Sequence, residues 1–307
     1  MKKVFITGGS GTVGSSFIKK NYNQYKFYSY SRNEKSQVEL KRKFPAVEII
    51  LGSIENRTFL IDKILECQPD IIIHAAALKH VDLAEKQPMR TVETNIFGSM
   101  NVIEAAKICN VPVTIGISTD KASKPDNVYG YTKLLMEKMF VEANNDKNKF
   151  ACCRFGNVAG SQGSVIPFWL SLKNNKKPLR LTHPDMTRLM FSSEEAADLI
   201  YKSIIDCQQT GGFILSKKMK KVNMHNLARC ISDEIDIVGL RPGEKISESL
   251  ICKSEIKYTF VEGEYIFINK EKNTKKENRL ANELSSATAV EMTQEQMCEL
   301  IRTCKVG

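Results

Sequence analysis

The chain has 307 residues, of which 42% are hydrophobic and 26% charged, and 45 Lys and Arg against 35 Asp and Glu give a net charge of +10. This length suits one or two domains with a sizeable core, and the balance is ordinary for a soluble globular protein. No apolar stretch approaches the roughly 18 residues of a membrane span, MKKVFITGG does not read as a secretion signal, and the nine cysteines lack metal-ligand spacing. A cytoplasmic protein without membrane segment, disulfide framework or metal is expected. The lysines cluster at 40–43, 173–180, 217–221 and 270–279 with aromatic residues only at their margins. This pattern reads as solvated surface able to steer an anionic substrate, not as a nucleic-acid interface.

In chain order, the first apolar run, residues 3–8, predicts a strand that feeds Gly9-Ser10-Gly11-Thr12-Val13-Gly14. A strand, G-x-G-x-x-G and a helix form the fingerprint of a dinucleotide cradle, with the pyrophosphate over the helix N-terminus. A P-loop would need Lys-Ser/Thr after Gly14, where Ser15 and Ser16 stand. The bland alternative is a structural glycine turn. A second strand at 25–31 ends in Ser31, Arg32, Asn33 and Glu34. A guanidinium at this corner suits a ribose 2′-phosphate and favours NADP over NAD, although Glu34 keeps NAD open.

Further strands are predicted at 47–52, 70–77, 111–119 and 149–160, and helices at 59–68 and 95–110. This alternation predicts an α/β fold, a Rossmann-type doubly wound parallel sheet. At the end of the fifth strand stands STDKASKPDNVYGYTK, residues 118–133. Tyr129 and Lys133 share a helix face, so a lysine cation can favour the phenolate and make Tyr129 a base for a sugar or alcohol hydroxyl. Tyr131 would have Leu135 as its counterpart. Asp120 and Lys121 form a second acid/base pair, which an elimination requires and simple hydride exchange does not; a salt bridge or cap is the structural alternative. After residue 160 the pattern loosens. Ser192 and Glu195 open a helix at 192–207 with a capping box, and residues 210–235 read as a strand, a basic turn and a helix. A smaller C-terminal lobe packed on the sheet is expected.

The segments TGGSGTVG (7–14), YSRNE (30–34), HAAALKHVDLAEKQP (74–88), TNIFGSMNVIEAA (94–106), STDKASKPDNVYGYTK (118–133), RFGNVAGSQGSVIPFW (154–169), MTR (186–188) and VGLRPGEKISESL (238–250) together resemble a known family. It is the extended short-chain dehydrogenase/reductases, most closely the UDP-N-acetylglucosamine 4,6-dehydratases of polysaccharide biosynthesis, in their soluble, C5-inverting branch. The resemblance implies an NADP-binding domain at 1–160, joined by elements returning from 188–215, and a mainly UDP-sugar-binding lobe at 161–307. It implies NADP contacts from Gly8, Ser10, Gly11, Thr12, Val13, Gly14, Ser31, Arg32, Asn33, Glu34, Ser53, Ile54, Ala75, Lys79, Thr94, Asn95, Tyr129 and Lys133. Substrate contacts are implied for Lys79, His80, Asn157, Val158, Gln162, Thr182, Arg188, Arg241 and Glu244. Ser53, Gln162 and Leu189 depart from the family pattern, standing in place of an aspartate, a basic residue and an aromatic residue.

The implied chemistry removes hydride from C4 as Tyr129, tuned by Lys133, takes the O4 proton. Lys121 then removes the C5 proton, Asp120 with Thr119 protonates the departing C6 hydroxyl, and hydride returns at C6. Inversion at C5 gives UDP-2-acetamido-2,6-dideoxy-β-L-arabino-hexos-4-ulose. The resemblance also implies a homo-oligomer. A retaining dehydratase, a nucleotide-sugar 4-epimerase or 4-reductase, and a non-catalytic NADP-sensing protein are the competing readings.

Overall fold

A computed structural model describes residues 1–269 and 278–304 of the chain; of the lysine run at 270–279, residues 270–277 lie outside the described residues. The apolar runs form β1 (Lys2–Thr7), β2 (Tyr25–Ser31), β3 (Glu48–Leu51), β4 (Ile71–His74), β5 (Val113–Thr119) and β6 (Lys149–Phe155). They pair in parallel, with Val4 opposite both Phe27 and Ile71, and Ile73 opposite Ile115. Beyond β6 the sheet continues with parallel β7 (Phe213–Lys217) and the antiparallel hairpin β8 (Thr259–Glu262) and β9 (Tyr265–Ile268). The nine strands run β8-β9-β7-β6-β5-β4-β1-β2-β3. This is a Rossmann-type sheet, and its order reverses between β1 and β4, where a doubly wound fold opens its ligand crevice.

Helices α1 (Thr12–Asn21), α2 (Glu34–Lys43), α3 (Arg57–Cys67), α4 (Val81–Lys86), α5 (Pro88–Val92), α6 (Gly98–Ile108), α7 (Val128–Ala143), α8 (Val165–Asn174), α9 (Ser193–Cys207), α10 (Met224–Arg229) and α11 (Gln294–Thr303) complete the fold. The capping box forms at α9, with Ser192 Oγ accepting from Glu195 N–H and Glu195 Oε2 accepting from Ser192 N–H. Asn127 caps α7 by accepting from Gly130 N–H at 2.8 Å, which sets Tyr129 in the first turn. One apolar cluster covers the sheet. A second, including Ile166, Trp169, Leu181, Leu227 and Leu300, fills the smaller lobe.

Several elements differ from the sequence expectation. The strand expected at 70–77 stops at His74, whose buried ring bridges Thr7 Oγ1 at 2.8 Å and Ser99 Oγ at 3.0 Å; the chain then leaves the sheet and runs along the crevice. The strand expected at 149–160 stops at Phe155 because Gly156 passes the neighbouring backbone, where an added Cβ would lie 2.6 Å from the Leu189 carbonyl oxygen. Asn157 and Val158 instead pair with Met190 and Phe191 in a separate three-stranded sheet. The helix expected at 95–110 is a π-helical turn, Glu93–Phe97, followed by α6. The basic turn at 217–221 is partly a strand, Lys220–Asn223, antiparallel to Thr187–Phe191. Of residues 188–215, α9 packs on the central sheet and β7 extends it, whereas Thr187–Phe191 pairs in the separate three-stranded sheet; β8 and β9 also return to the central sheet. All nine cysteines are free thiols. Among the described residues no helix is long and apolar enough to cross a membrane, and no His, Cys, Asp and Glu group is placed to hold a metal.

Candidate active site

The turn after β1 is built for close approach. Gly8 adopts φ +72°, and an added Cβ would lie 2.8 Å from Ala76 N; a Cβ on Gly14 would lie 2.7 Å from Gly9 Cα. Gly11 N–H donates to the Gly8 carbonyl at 3.0 Å and leads into α1 without a side-chain cap or an acid in the first turn. Several orphan N–H groups at this helix end thus meet the crevice with no competing anion. The cleft above them, about 550 Å³, is lined by Gly8, Ser10, Gly11, Thr12, Val13, Gly14, Ser31, Arg32, Asn33, Ile54, Ala75, Lys79, Thr94, Tyr129 and Lys133. This cradle fits a dinucleotide. Ala76, Ala77, Leu78 and Ser118 also line it; short apolar residues after a strand carry no sequence signal for such a wall.

Three expected cofactor residues do not line the cleft. Glu34 is exposed in the first turn of α2, and Ser53 donates to Glu55 Oε2 at 2.9 Å. Asn95 is buried behind the wall, where its side chain accepts from Leu78 N–H at 2.8 Å and donates to the Leu78 carbonyl at 2.9 Å, fixing the 75–80 loop. Arg32 lies at the rim, with Nη1 3.5 Å from Glu55 Oε1. Burial opposes the charge of Glu55, but hydrogen bonds from Thr94, Ser53 and Arg90 outweigh it and hold the carboxyl below its ordinary range. Asn33 caps α2 through Ser36 N–H at 2.9 Å.

Tyr129 and Lys133 share the face that α7 turns to the cleft, but they are not a contact pair. Lys133 Nζ donates to the Ile117 carbonyl at 2.7 Å and lies 3.4 Å from Met136 Sδ. Burial lowers its ammonium to about 8, with Cys152 and Glu137 opposing the shift. Burial also pushes the Tyr129 phenol up to about 12; the cation that opposes this is Lys121, helped by a hydrogen bond with Thr119, while Asp120 adds to the rise. The long side chain of Lys133 reaches a strand carbonyl beneath the cleft.

At the end of β5 the chain closes a 3-10 turn, Asp120–Ala122, with Thr119 as its cap. Thr119 Oγ1 donates to Asp120 Oδ1 at 2.9 Å, and Lys121 Nζ donates to the same oxygen at 3.1 Å. Among the described residues Asp120 Oδ2 is buried without a hydrogen-bond partner. On the other side of the ammonium, at 3.4 Å, stands Glu248 Oε1, a residue the motif reading passed over inside EKISESL. Burial alone would depress Lys121, yet Asp120 and Glu248 outweigh it and hold the group above the ordinary lysine range. A base role for Lys121 would require that it first give up its ammonium proton.

Lys79, His80, Asn157, Val158, Lys121 and Tyr129 meet in an adjoining cavity of about 250 Å³. Gln162 lies at the junction: its N–H donates to Thr12 Oγ1 and its carbonyl accepts from Lys79 Nζ at 2.8 Å, so residues 161–163 cross above the glycine loop. The buried hydroxyls of Ser118 and Ser164 line the two cavities without a hydrogen-bond partner among the described residues. Thr182, Arg188, Arg241 and Glu244 are not brought to either cavity. Thr182 is buried against Met186. Arg188 donates to the carbonyls of Thr187, Ile246 and Lys245. Glu244 accepts from Arg241 N–H at 3.0 Å on an exposed turn.

The family described as "Polysaccharide biosynthesis protein" matches residues 4–270. The chain is 36% identical over 271 residues to the "UDP-N-acetylglucosamine 4,6-dehydratase (inverting)" of Campylobacter jejuni, covering 84% of this chain and 80% of that protein. The X-ray structure of Pen from Bacillus thuringiensis superposes with a TM-score of 0.92 at 29% identity, over 100% of this chain and 98% of that one. A UDP-glucose-4-epimerase from Stenotrophomonas maltophila, solved with bound NAD and formylated UDP-arabinopyranose, shares the fold at a TM-score of 0.69 and 16% identity, over 80% of this chain and 88% of its own.

Proposed function

Since this chain belongs to the polysaccharide biosynthesis protein family, among the extended short-chain dehydrogenase/reductases, we propose that it is an NADP-dependent UDP-N-acetylglucosamine 4,6-dehydratase that inverts C5. The observation that carries this reading is the Thr119–Asp120–Lys121 cluster beside Tyr129 at the end of β5. Removal of water needs a base and an acid in addition to the group that handles the O4 proton.

A nicotinamide dinucleotide, held by the Gly8–Gly14 turn, Arg32, Ile54, Ala75, Thr94 and Lys133, would supply reversible hydride acceptance. Arg32 at the rim supports NADP, because a guanidinium matches a 2′-phosphate. Tyr129 takes the O4 proton as C4 is oxidised. Its high resting affinity for that proton makes it a strong base once ionised, and Lys121 is the cation nearest to the developing phenolate.

One proton transfer prepares the elimination. Lys121 Nζ passes its proton to Asp120 Oδ1, 3.1 Å away, leaving an amine base and a carboxylic acid side by side. The amine takes the C5 proton, made acidic by the C4 ketone, and the acid protonates the departing C6 oxygen. Both groups then return to ammonium and carboxylate, so no proton is gained or lost at the pair; as hydride returns at C6, C5 takes a solvent proton from the opposite face, and the O4 proton held by Tyr129 passes to solvent. Lys79, His80, Asn157, Val158 and Gln162 are the wall on which the sugar nucleotide is proposed to rest. The proposal includes a cytoplasmic homo-oligomer, in which residues 1–160 with α9 and β7 hold the dinucleotide and the smaller lobe holds the UDP-sugar.

Incubation of the purified protein with UDP-N-acetylglucosamine in deuterated water, followed by NMR, tests the reading. Loss of water with deuterium at C5, and couplings of the L-arabino product, are expected. An unchanged sugar, or one inverted only at C4 as an epimerase would leave it, overturns it.

A further inference from the structure

Glu248 is held where a carboxylate is expensive to keep. It is 2% exposed, and its backbone is fixed on both sides by Ser286, whose Oγ accepts from Glu248 N–H at 2.9 Å and whose N–H donates to the Glu248 carbonyl at 2.8 Å. Among the described residues its ion-pair partner is Lys121, at 3.4 Å. Arg188, from the strand Thr187–Phe191, and Lys245 act on it at longer range, and Asp120 opposes its charge. Around Lys121 stand Asp120 and Tyr129 from its own end of the sheet, Glu248 across from them, and Arg188, whose positive charge works against the ammonium. A carboxylate buried this deeply is strongly disfavoured without such a partner.

The proposed elimination shows why one carboxylate is not enough. When Asp120 carries the proton destined for the C6 oxygen, it is neutral. In that interval Lys121 takes a proton from C5 and becomes an ammonium again, in a site largely closed to water. With Asp120 uncharged, the remaining anion beside it is Glu248. We propose that Glu248 is a positioning residue, the counter-charge that Lys121 keeps while Asp120 holds the leaving-group proton. The proton count is unchanged by this role, since Glu248 neither gives nor takes a proton; its carboxylate loses its partner only while Lys121 is the free amine, which favours return of a proton to Lys121 from C5. The inference rests on the dehydratase reading, but its central claim concerns the charge on Lys121 and is measurable without turnover.

The rate at which Lys121 is trace-acetylated in the folded protein, followed against pH by peptide mass spectrometry, reports its protonation midpoint. Glu248→Gln is expected to lower that midpoint by about one pH unit or more. The limb of the pH–rate profile for water loss that Lys121 governs should move down with it, whereas a merely structural loss would reduce the amplitude and leave the limb in place. Asp120→Asn imitates the protonated carboxyl, and with Glu248 intact it is expected to keep the Lys121 midpoint within the ordinary lysine range. An unmoved midpoint in folded Glu248→Gln overturns the proposal. If that variant does not fold, a collapse of the midpoint well below the ordinary lysine value in Asp120→Asn overturns it instead. Wild-type protein that labels as expected but releases no water from UDP-N-acetylglucosamine overturns the dehydratase reading, and with it the role of Glu248 in elimination, while the ion pair between Glu248 and Lys121 stands.

Discussion

Lys133 Nζ binds the Ile117 carbonyl at 2.7 Å while Tyr129, one helical turn earlier, faces Thr119 and Lys121. The two residues most easily paired by spacing thus serve different ends of the cleft. Tyr129→Phe removes the group proposed to handle the O4 proton and is expected to lower kcat by about 10²–10⁴-fold. Its thermal unfolding should stay close to that of the wild type, because the apolar ring is retained. Steady-state rates near wild type would remove Tyr129 from the chemistry.

Asp120→Asn and Lys121→Ala should separate the half-reactions. On the proposed scheme oxidation at C4 relies on Tyr129 and is expected to survive in both, seen as absorbance at 340 nm in a single turnover with added dinucleotide. Water loss should fall by about 10²-fold or more in each. Normal turnover by Lys121→Ala would contradict the shared-proton scheme.

Arg32→Glu tests the dinucleotide preference. Charge-assisted hydrogen bonds contribute about 1.5–3 kcal/mol, so loss of the guanidinium should weaken NADP binding by roughly 10–100-fold. NAD binding should change little, as measured by calorimetry. Equal losses for both dinucleotides would show that Arg32 does not read the 2′ position.

His74 is buried between Thr7 and Ser99, and burial with Lys133 nearby lowers its imidazole to about 3. The folded protein therefore keeps this ring neutral, while the unfolded chain binds its proton near pH 6.5. The stability it contributes is present above about pH 6.5 and is lost as pH falls toward 3. Nitrogen-detected NMR of the His74 ring should show no titration between pH 8 and 5. A midpoint near 6.5 would mean that the ring is hydrated.

Arg154 is buried with Glu137 and Glu255, donating to Glu137 Oε2 at 2.6 Å and to Glu255 Oε1 at 2.7 Å. Glu255 also accepts from Ser123, two residues past Lys121. Arg154→Met would leave two buried carboxylates unpaired and should destabilise the protein by about 3–5 kcal/mol. Urea unfolding measures this, and a loss below about 1 kcal/mol would show that water reaches the pair.

Local signals were easy to recover from the sequence. The glycine turn, the α9 capping box and the alternation of strand and helix depend on residues within a few positions of one another, and each stands where the pattern puts it. What periodicity could not show was the reach of long side chains. Lys133 has two polar targets within range of its stem, and only the packed sheet decides for Ile117. Arg188 sits in the MTR segment that resembles a substrate contact, yet its guanidinium is occupied by three carbonyls. Glu248 meets Lys121 from 127 positions away in sequence, so no spacing rule connects them. Gly156 looked like part of a strand because it lies in the mostly apolar run KFACCRFGNVAG, whereas the approach of Leu189 ends that strand.

The crossing of residues 161–163 above the glycine turn, tied to Thr12 on one bank and Lys79 on the other, has a metabolic meaning. A dinucleotide lodged beneath it would have to break these ties to leave. An enzyme that lends a hydride and recovers it in the same cycle has no need of such departures. Flux through it would then be indifferent to the cell's ratio of oxidised to reduced dinucleotide, and sugar-nucleotide supply would be insulated from swings in respiration and biosynthetic demand.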